Sequence, residues 1–269
     1  MRNRHAFTLT DLLASIACVA VLLSLTASTL AGPRTTSQRM QNSTQLRGIH
    51  QGLVTFANSN KEKFPGLDSK GNILTDSDDD TGGSGHGDTS EARYWLMLTY
   101  DFITPEYAIS PVDERATEYV EPWGNNEVAP VTFENYSFAM LDIAGPAGQP
   151  PDASGRYDEW QQSLNTQAIV LSDRNCTDLN AAGPFPTSIW NPDTWHGSVL
   201  WNDNHVAYEE TYFMKTRYGR GDLNIRANGD GYDNLFTAEN EDGTDALLTF
   251  SKDEDGNERA VPGVIEDEE

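Results

Sequence analysis

The sequence is poor in cysteine, in positive charge and in catalytic signatures. Its two cysteines, Cys18 and Cys176, are all that 269 residues contain. Cys18 falls inside an apolar run and Cys176 far outside it, so no intrachain disulfide is expected, and two residues do not define a redox compartment. Lys and Arg number 18 against 42 acidic residues, a formal net charge of -24. A surface this negative repels phosphate, which argues against nucleic acid as a partner, and it equally disfavours adsorption on anionic lipid. No nucleophile elbow, phosphate loop, dinucleotide fingerprint or zinc-ligand helix occurs, so enzyme function has almost no support. Hydrophobic residues make up 37%, part of them in one N-terminal run, and all six Trp lie between Trp95 and Trp201. That suits one domain of about 150 to 200 residues with a modest core.

What is present begins at the N-terminus. A short basic start, MRNRHA, precedes Thr8 to Ala31, 24 residues in which Asp11 is the only charge. A run of this length is enough to cross a hydrocarbon core of roughly 30 Å as a helix. Arg2 and Arg4 would stay cytoplasmic, placing everything after Pro33 on the far side of an inner membrane. Three readings compete: a cleaved secretory signal peptide, a plain signal anchor and a prepilin leader. Asp11 separates them. An acid inside an apolar segment costs a few kcal/mol in lipid, and the first two readings have no use for it.

The string AFTLTDLLASIACVAVLL resembles the prepilin-type cleavage and methylation motif. The resemblance implies a cut between Ala6 and Phe7 by a prepilin peptidase, with Asp11 at the fifth mature position. There the carboxylate meets the amine of a neighbouring subunit's Phe7, so that a buried charge finds a partner. Ala6 stands where Gly is usual and Asp11 where Glu is usual.

After Gly32-Pro33, read as a kink or break, Met40, Leu46, Ile49, Leu53 and Phe56 fall near helical spacing. The helix should stop near Asn58 to Lys61, before Phe64-Pro65-Gly66. A helix from Phe7 to about Asn60 would be roughly 80 Å long. Asp68 to Glu91 reads as a flexible Asp/Gly/Ser-rich loop, and Glu91 to Asp101 as a helix burying Trp95, Leu96 and Leu98. Short strands are expected at Thr132 to Leu141, Gln167 to Ser172, Gly197 to Trp201 and His205 to Tyr208. From Asp222 onward fifteen acidic residues face three basic ones, which predicts a loose tail.

Two further stretches narrow the family. NSTQLRGIHQGLVTFANSNKEKFP and TWHGSVLWNDNHVAYEE resemble a planctomycete group of prepilin-type proteins with a C-terminal His-to-Asp-Gly signature. Asn42 and Ser110 stand where relatives carry two cysteines; their joint absence is what pairing in those relatives would produce. His196, Asp203 and His205 match the signature, with Asn204 in place of Gly. Locally, Asn202-Asp203-Asn204 reads as the turn of a hairpin, Asn being suited to a left-handed position. Two His and an Asp within ten residues also fit a metal site or acid-base chemistry, but the structural hairpin is the preferred reading. Lone His50 and His86 are read as surface residues.

Calcium has two candidate places, Asp76, Asp78 and Asp80, and Asn228, Asp230 and Asp233, whose acids alternate as oxygen ligands do. The resemblance adds weight, since major pseudopilins of type II secretion hold calcium in a C-terminal loop. The EF-hand pattern itself fails at Thr81 and Gly87. No other cofactor is expected.

These readings combine into an α+β chain: a leader (1-6), a pilin-type helix (7-61, with 7-31 transmembrane), an extracytoplasmic head built on a small antiparallel sheet (62-218) and an acidic tail (219-269). The expected function is that of a pseudopilin-like subunit of a type II secretion or type IV pilus-like filament. Its partners would be other pilin or pseudopilin subunits. The alternative is an extracytoplasmic binding module that uses the helix only as an anchor.

Overall fold

The computed structural model describes residues 9–29, 31–74, 87–120, 130–144, 154–177, 186–219, 232–237 and 244–251. The chain divides into two units, Met1–Met40 and Gln41–Glu269. The first holds helix α1 (Leu9–Thr29) and the start of helix α2 (Ala31–Ser59). Gly32 and Pro33, where a kink or break is expected, lie within the span of α2.

One expectation is corrected. Among the described residues no helix is long and apolar enough to cross a membrane, so the membrane-spanning first half assigned to 7-31 does not stand. Thr10, Ser15, Ser24, Thr26, Ser28 and Thr29, together with Asp11, dilute the apolar run. The remainder of the fold class, α+β with an antiparallel sheet, is what the structure has.

In the second unit, α2 buries Leu46, Ile49, Leu53 and Ala57, one stripe at three- and four-residue spacing. Met40, expected on that stripe, is exposed. Gly48 and Gly52 notch the same helix. A Cβ at Gly48 would sit 2.2 Å from the Tyr107 ring, and one at Gly52 would sit 2.5 Å from Ile103. The segment carrying helix α4 (Pro105–Ala108) therefore lies directly on α2. Lys61 and Glu62, both at positive φ, turn the chain out of α2, and the Glu62 amide caps the Ala57 carbonyl at 2.9 Å.

Helix α3 (Ser90–Thr99) starts at Thr89, whose hydroxyl accepts from the Ala92 amide. It buries Tyr94, Trp95, Leu96, Met97 and Leu98 in succession. Such all-round burial is that of a core helix.

A five-stranded antiparallel sheet has the order β4-β3-β2-β1-β7. Its strands are β1 (Phe138–Leu141), β2 (Ile169–Asp173), β3 (Gly197–Trp201), β4 (Val206–Glu209) and β7 (Leu248–Thr249). The three central strands are buried almost throughout, as expected of a sheet covered on both sides. A two-stranded ribbon joins β5 (Phe213–Met214) to β6 (Asp233–Asn234), and a short helix, α5, spans Gly155–Glu159. Strands β6 and β7 come from the acidic stretch beyond 219. Leu235, Phe236, Ala246, Leu248 and Phe250 there are buried in the core, and the Tyr136 hydroxyl donates to the Phe250 carbonyl at 2.7 Å.

Arg93 is fully buried and joins α3 to the sheet. Its guanidinium donates to the carbonyls of Gly87 (2.9 Å), Asp88 (2.8 Å) and Leu141 (2.7 Å), and lies 4.5 Å from the Trp160 ring centroid. Burial lowers its pKa to about 10, against the pull of Asp88, Asp142 and Glu91, so it remains charged at neutral pH. Arg93→Met would leave three carbonyls without this donor. It should cost about 3 kcal/mol or more in urea unfolding; a loss below about 1 kcal/mol would show that Arg93 is dispensable.

Candidate functional site

The β3–β4 hairpin forms where the sequence places it, with Gly197 opposite Glu209 and Leu200 opposite Val206. Asn204 takes φ +68°, the left-handed turn position expected of it. Asp203 Oδ1 accepts from the His205 amide at 3.0 Å, and the His205 ring stacks on Trp201 at 4.7 Å. His196 lies at the opposite end of β3, on the order of 16 Å along the strand from the turn. Its amide and carbonyl are both bonded to the Ser188 hydroxyl. The signature residues therefore do not converge on one point.

What converges on the turn is His50. It was read as a surface residue, but it is buried, standing edge-on to Phe64 at 6.0 Å. Its Nε2 lies 3.4 Å from Asn202 Oδ1. Burial lowers its pKa, while Asn202 and Asp203 oppose the shift. His50, Asp203 and Asn204 together line a cavity of about 290 Å³. Asn202, the partner of His50, is itself held in place, donating from Nδ2 to the carbonyls of Glu159 (2.7 Å) and Gln161 (3.0 Å) and to the Ser163 hydroxyl (2.8 Å).

Among the described residues no group of three or more His, Cys, Asp or Glu is placed to hold a metal ion. Asp76, Asp78, Asp80, Asn228 and Asp230 lie outside the described residues, as do Ala6, Phe7 and the Asp11 side chain. Asp233, the remaining calcium candidate, is buried. Its Oδ2 accepts from the Thr216 hydroxyl and, at 2.7 Å, from the Ala246 amide, which ties β6 to the approach to β7.

The strongest electrostatic feature is one that sequence reasoning missed. Asp173, at the end of β2, is fully buried. Its Oδ2 accepts from the Ser198 amide at 2.6 Å and from Trp190 Nε1 at 2.8 Å. Asn42 Nδ2 lies 3.0 Å from each carboxylate oxygen and 3.0 Å from the Ser198 hydroxyl. One carboxylate thus fastens α2, β2, β3 and the loop before β3. Gly197 makes this approach possible, since a Cβ there would lie 2.8 Å from Asp173 Cβ. The glycine of the His-Gly-Ser run therefore has a packing reason. A second polar knot adjoins it. Asp113 pairs with Arg115 at 2.9 Å and Arg174 at 3.4 Å, and both guanidiniums lie over the Phe250 ring at 5.3 and 5.0 Å.

Asn42 and Ser110 are both buried. Cys18 and Cys176 are free thiols; burial pushes the Cys176 thiol up to about 11, with Arg174 opposing.

Comparison with protein-family models, curated proteins and solved structures finds no match. The functional reading therefore rests on the chain's own physics. Around Asp173 the residues hold elements together and do not line the cavity beside His50, so their role is to position the fold.

Burial raises the Asp173 pKa from 3.8 to about 6, against the bonds from Ser198, Asn42 and Trp190. A folded-state pKa above the unfolded one means that the native state binds the extra proton between these values. The contribution of Asp173 to stability is thus largest at low pH and falls as pH rises through about 4 to 6. Measured against Asp173→Asn, which cancels His50 and the surface acids, wild-type stability should decline by about 2 kcal/mol between pH 4 and 7.5. Parallel curves for the two proteins would contradict the shift.

Proposed function

We propose that the chain is a structural, pseudopilin-like subunit of a type II secretion or type IV pilus-like filament, cut between Ala6 and Phe7 by a prepilin peptidase and joined to its neighbours through α1. The observation that supports this reading is the surface of α1. Leu9, Leu12, Leu13, Ile16, Val19, Val21 and Leu22 are each about half or more exposed, and all but Val21 recur at intervals of three and four along the helix. An apolar stripe of this extent exceeds the scattered leucines of an ordinary surface and marks a face that is covered in use. Equivalent helices of other copies cover it. Burying these side chains contributes on the order of 10 kcal/mol per subunit.

The charge balance supports the same arrangement. Loss of Arg2 and Arg4 with the leader leaves -26 (16 basic minus 42 acidic). Acidic heads repel one another, so cohesion comes from the helices, and Asp11 receives the amine of a neighbouring Phe7 as the prepilin resemblance implies.

Single cysteines placed at Leu12, Ile16, Val19 and Leu22 in the full chain, with Cys18→Ser and Cys176→Ser, test the arrangement by oxidative crosslinking. Crosslinked multimers are expected along the stripe, from mature chains that begin at Phe7 by mass spectrometry. A chain that remains monomeric and uncrosslinked at all four positions would falsify the assembly reading.

A further inference from the structure

Between the ends of α2 and α3 and the turn that follows Gly66 lies a second cavity, of about 510 Å³. This volume is that of a small-ligand site. Phe56, Tyr100, Phe102 and Leu96 supply apolar walls, and Asp68 and Asn60 supply polar atoms. Phe56 and Phe102 meet edge to face, with centroids 5.2 Å apart and planes at 73°. They form a corner, which suits a rounded group better than a flat ring. Tyr100 is 53% exposed and stands edge to face with Trp95 at 6.1 Å.

Asp68, the charged residue among the described lining, is fixed in place. Asp68 Oδ1 accepts from the amides of Lys70 (2.7 Å) and Asn72 (2.9 Å), and Oδ2 from Asn72 Nδ2 (2.8 Å). The slight burial of the carboxyl raises its pKa, and the bonds from Asn72, Lys70 and Gly71 together outweigh this and lower it. The carboxylate therefore stays ionised at neutral pH. No Lys, Arg or His is among the described residues that line the cavity, and a chain of net charge -24 repels anions from it. Aromatic faces beside a fixed carboxylate attract cations with an apolar shell.

We propose that this cavity binds a compact organic ammonium, with its charge beside Asp68 and its methyl or methylene shell against Phe56, Tyr100 and Phe102. The site is independent of filament assembly, because every lining residue lies within the second unit.

Choline and its uncharged isostere 3,3-dimethylbutan-1-ol, titrated into the full chain by NMR, test the charge requirement. Choline should give saturable shifts of the Tyr100 and Phe102 resonances, and the alcohol should not. Asp68→Asn keeps an acceptor for the turn, and Tyr100→Ala removes an exposed ring, so neither change should unfold the protein. Each should weaken choline by about three- to fivefold, while Tyr100→Phe should retain binding. Asp193→Asn, which removes an exposed acid from the loop before β3, should leave binding unchanged. A parallel titration with Ac-Gly-Lys-Gly-NH2 separates two sources of the same chemistry. Binding tighter than choline places the ammonium on a partner chain, and weaker binding places it on a free small molecule. Absence of choline binding, equal binding of the alcohol, or an equal loss in Asp193→Asn would overturn the proposal.

Discussion

A carboxylate removed from water must be surrounded by donors or give up its charge. In this chain that requirement falls on Asp173, and much of the second unit is arranged around it. Its donors come from sequence positions more than a hundred residues apart: Asn42 in α2, Trp190 in the loop before β3, and Ser198 in β3. The constraint fixes several choices at once. Residue 197 has to be glycine for β3 to come close enough, α2 has to present Asn42 on its buried face, and Trp190 has to turn its indole N–H inward. The neighbouring Asp113–Arg115–Arg174 group extends the same polar seam to Phe250, so that a residue from the acidic stretch is held against it.

The readable parts of the fold were those written in local pattern. The apolar spacing of Leu46, Ile49 and Leu53 located the buried face of α2, and the continuous run from Tyr94 to Leu98 located α3. The turn at Asn202-Asp203-Asn204 gave both strands of the hairpin and the left-handed residue within it. What local pattern does not carry is the partner of a polar side chain. Arg93, Asn202 and Asp173 look like surface residues in the sequence, and become core residues only through carbonyls and amides supplied from elsewhere. His50 was misplaced for the same reason. The acidic stretch hid Leu248 and Phe250 because a two-residue strand is too short to show periodicity among fifteen acids. The N-terminal run showed the opposite error. Its low charge suggested a membrane span, while its many hydroxyl residues make it less apolar than such a span requires.

The functional picture separates into two kinds of surface. Helix α1 carries exposed apolar side chains whose natural cover is a like helix, and this supports the filament reading. The second unit is acidic outside and polar-stitched inside, with one cavity beneath the hairpin turn and another walled by aromatic rings. On the filament reading proposed above, cohesion would come from the helix and the head would be left to carry specificity. The His196, Asp203 and His205 pattern does not form one site: its members are spread along one hairpin, and of the three only Asp203 lines the cavity beneath the turn.

The central claim is that the buried Asp173–Asn42 contact fastens α2 to the sheet. A double-mutant cycle at pH 7.5, with Asn42→Ala, Asp173→Asn and the combined variant measured by urea unfolding, tests it most directly. A charge-assisted bond in a dry site predicts a coupling of about 1.5 kcal/mol or more between the two changes. Effects that add to within about 0.5 kcal/mol would contradict it and leave Asp173 as a tolerated burden on the fold, not its fastening.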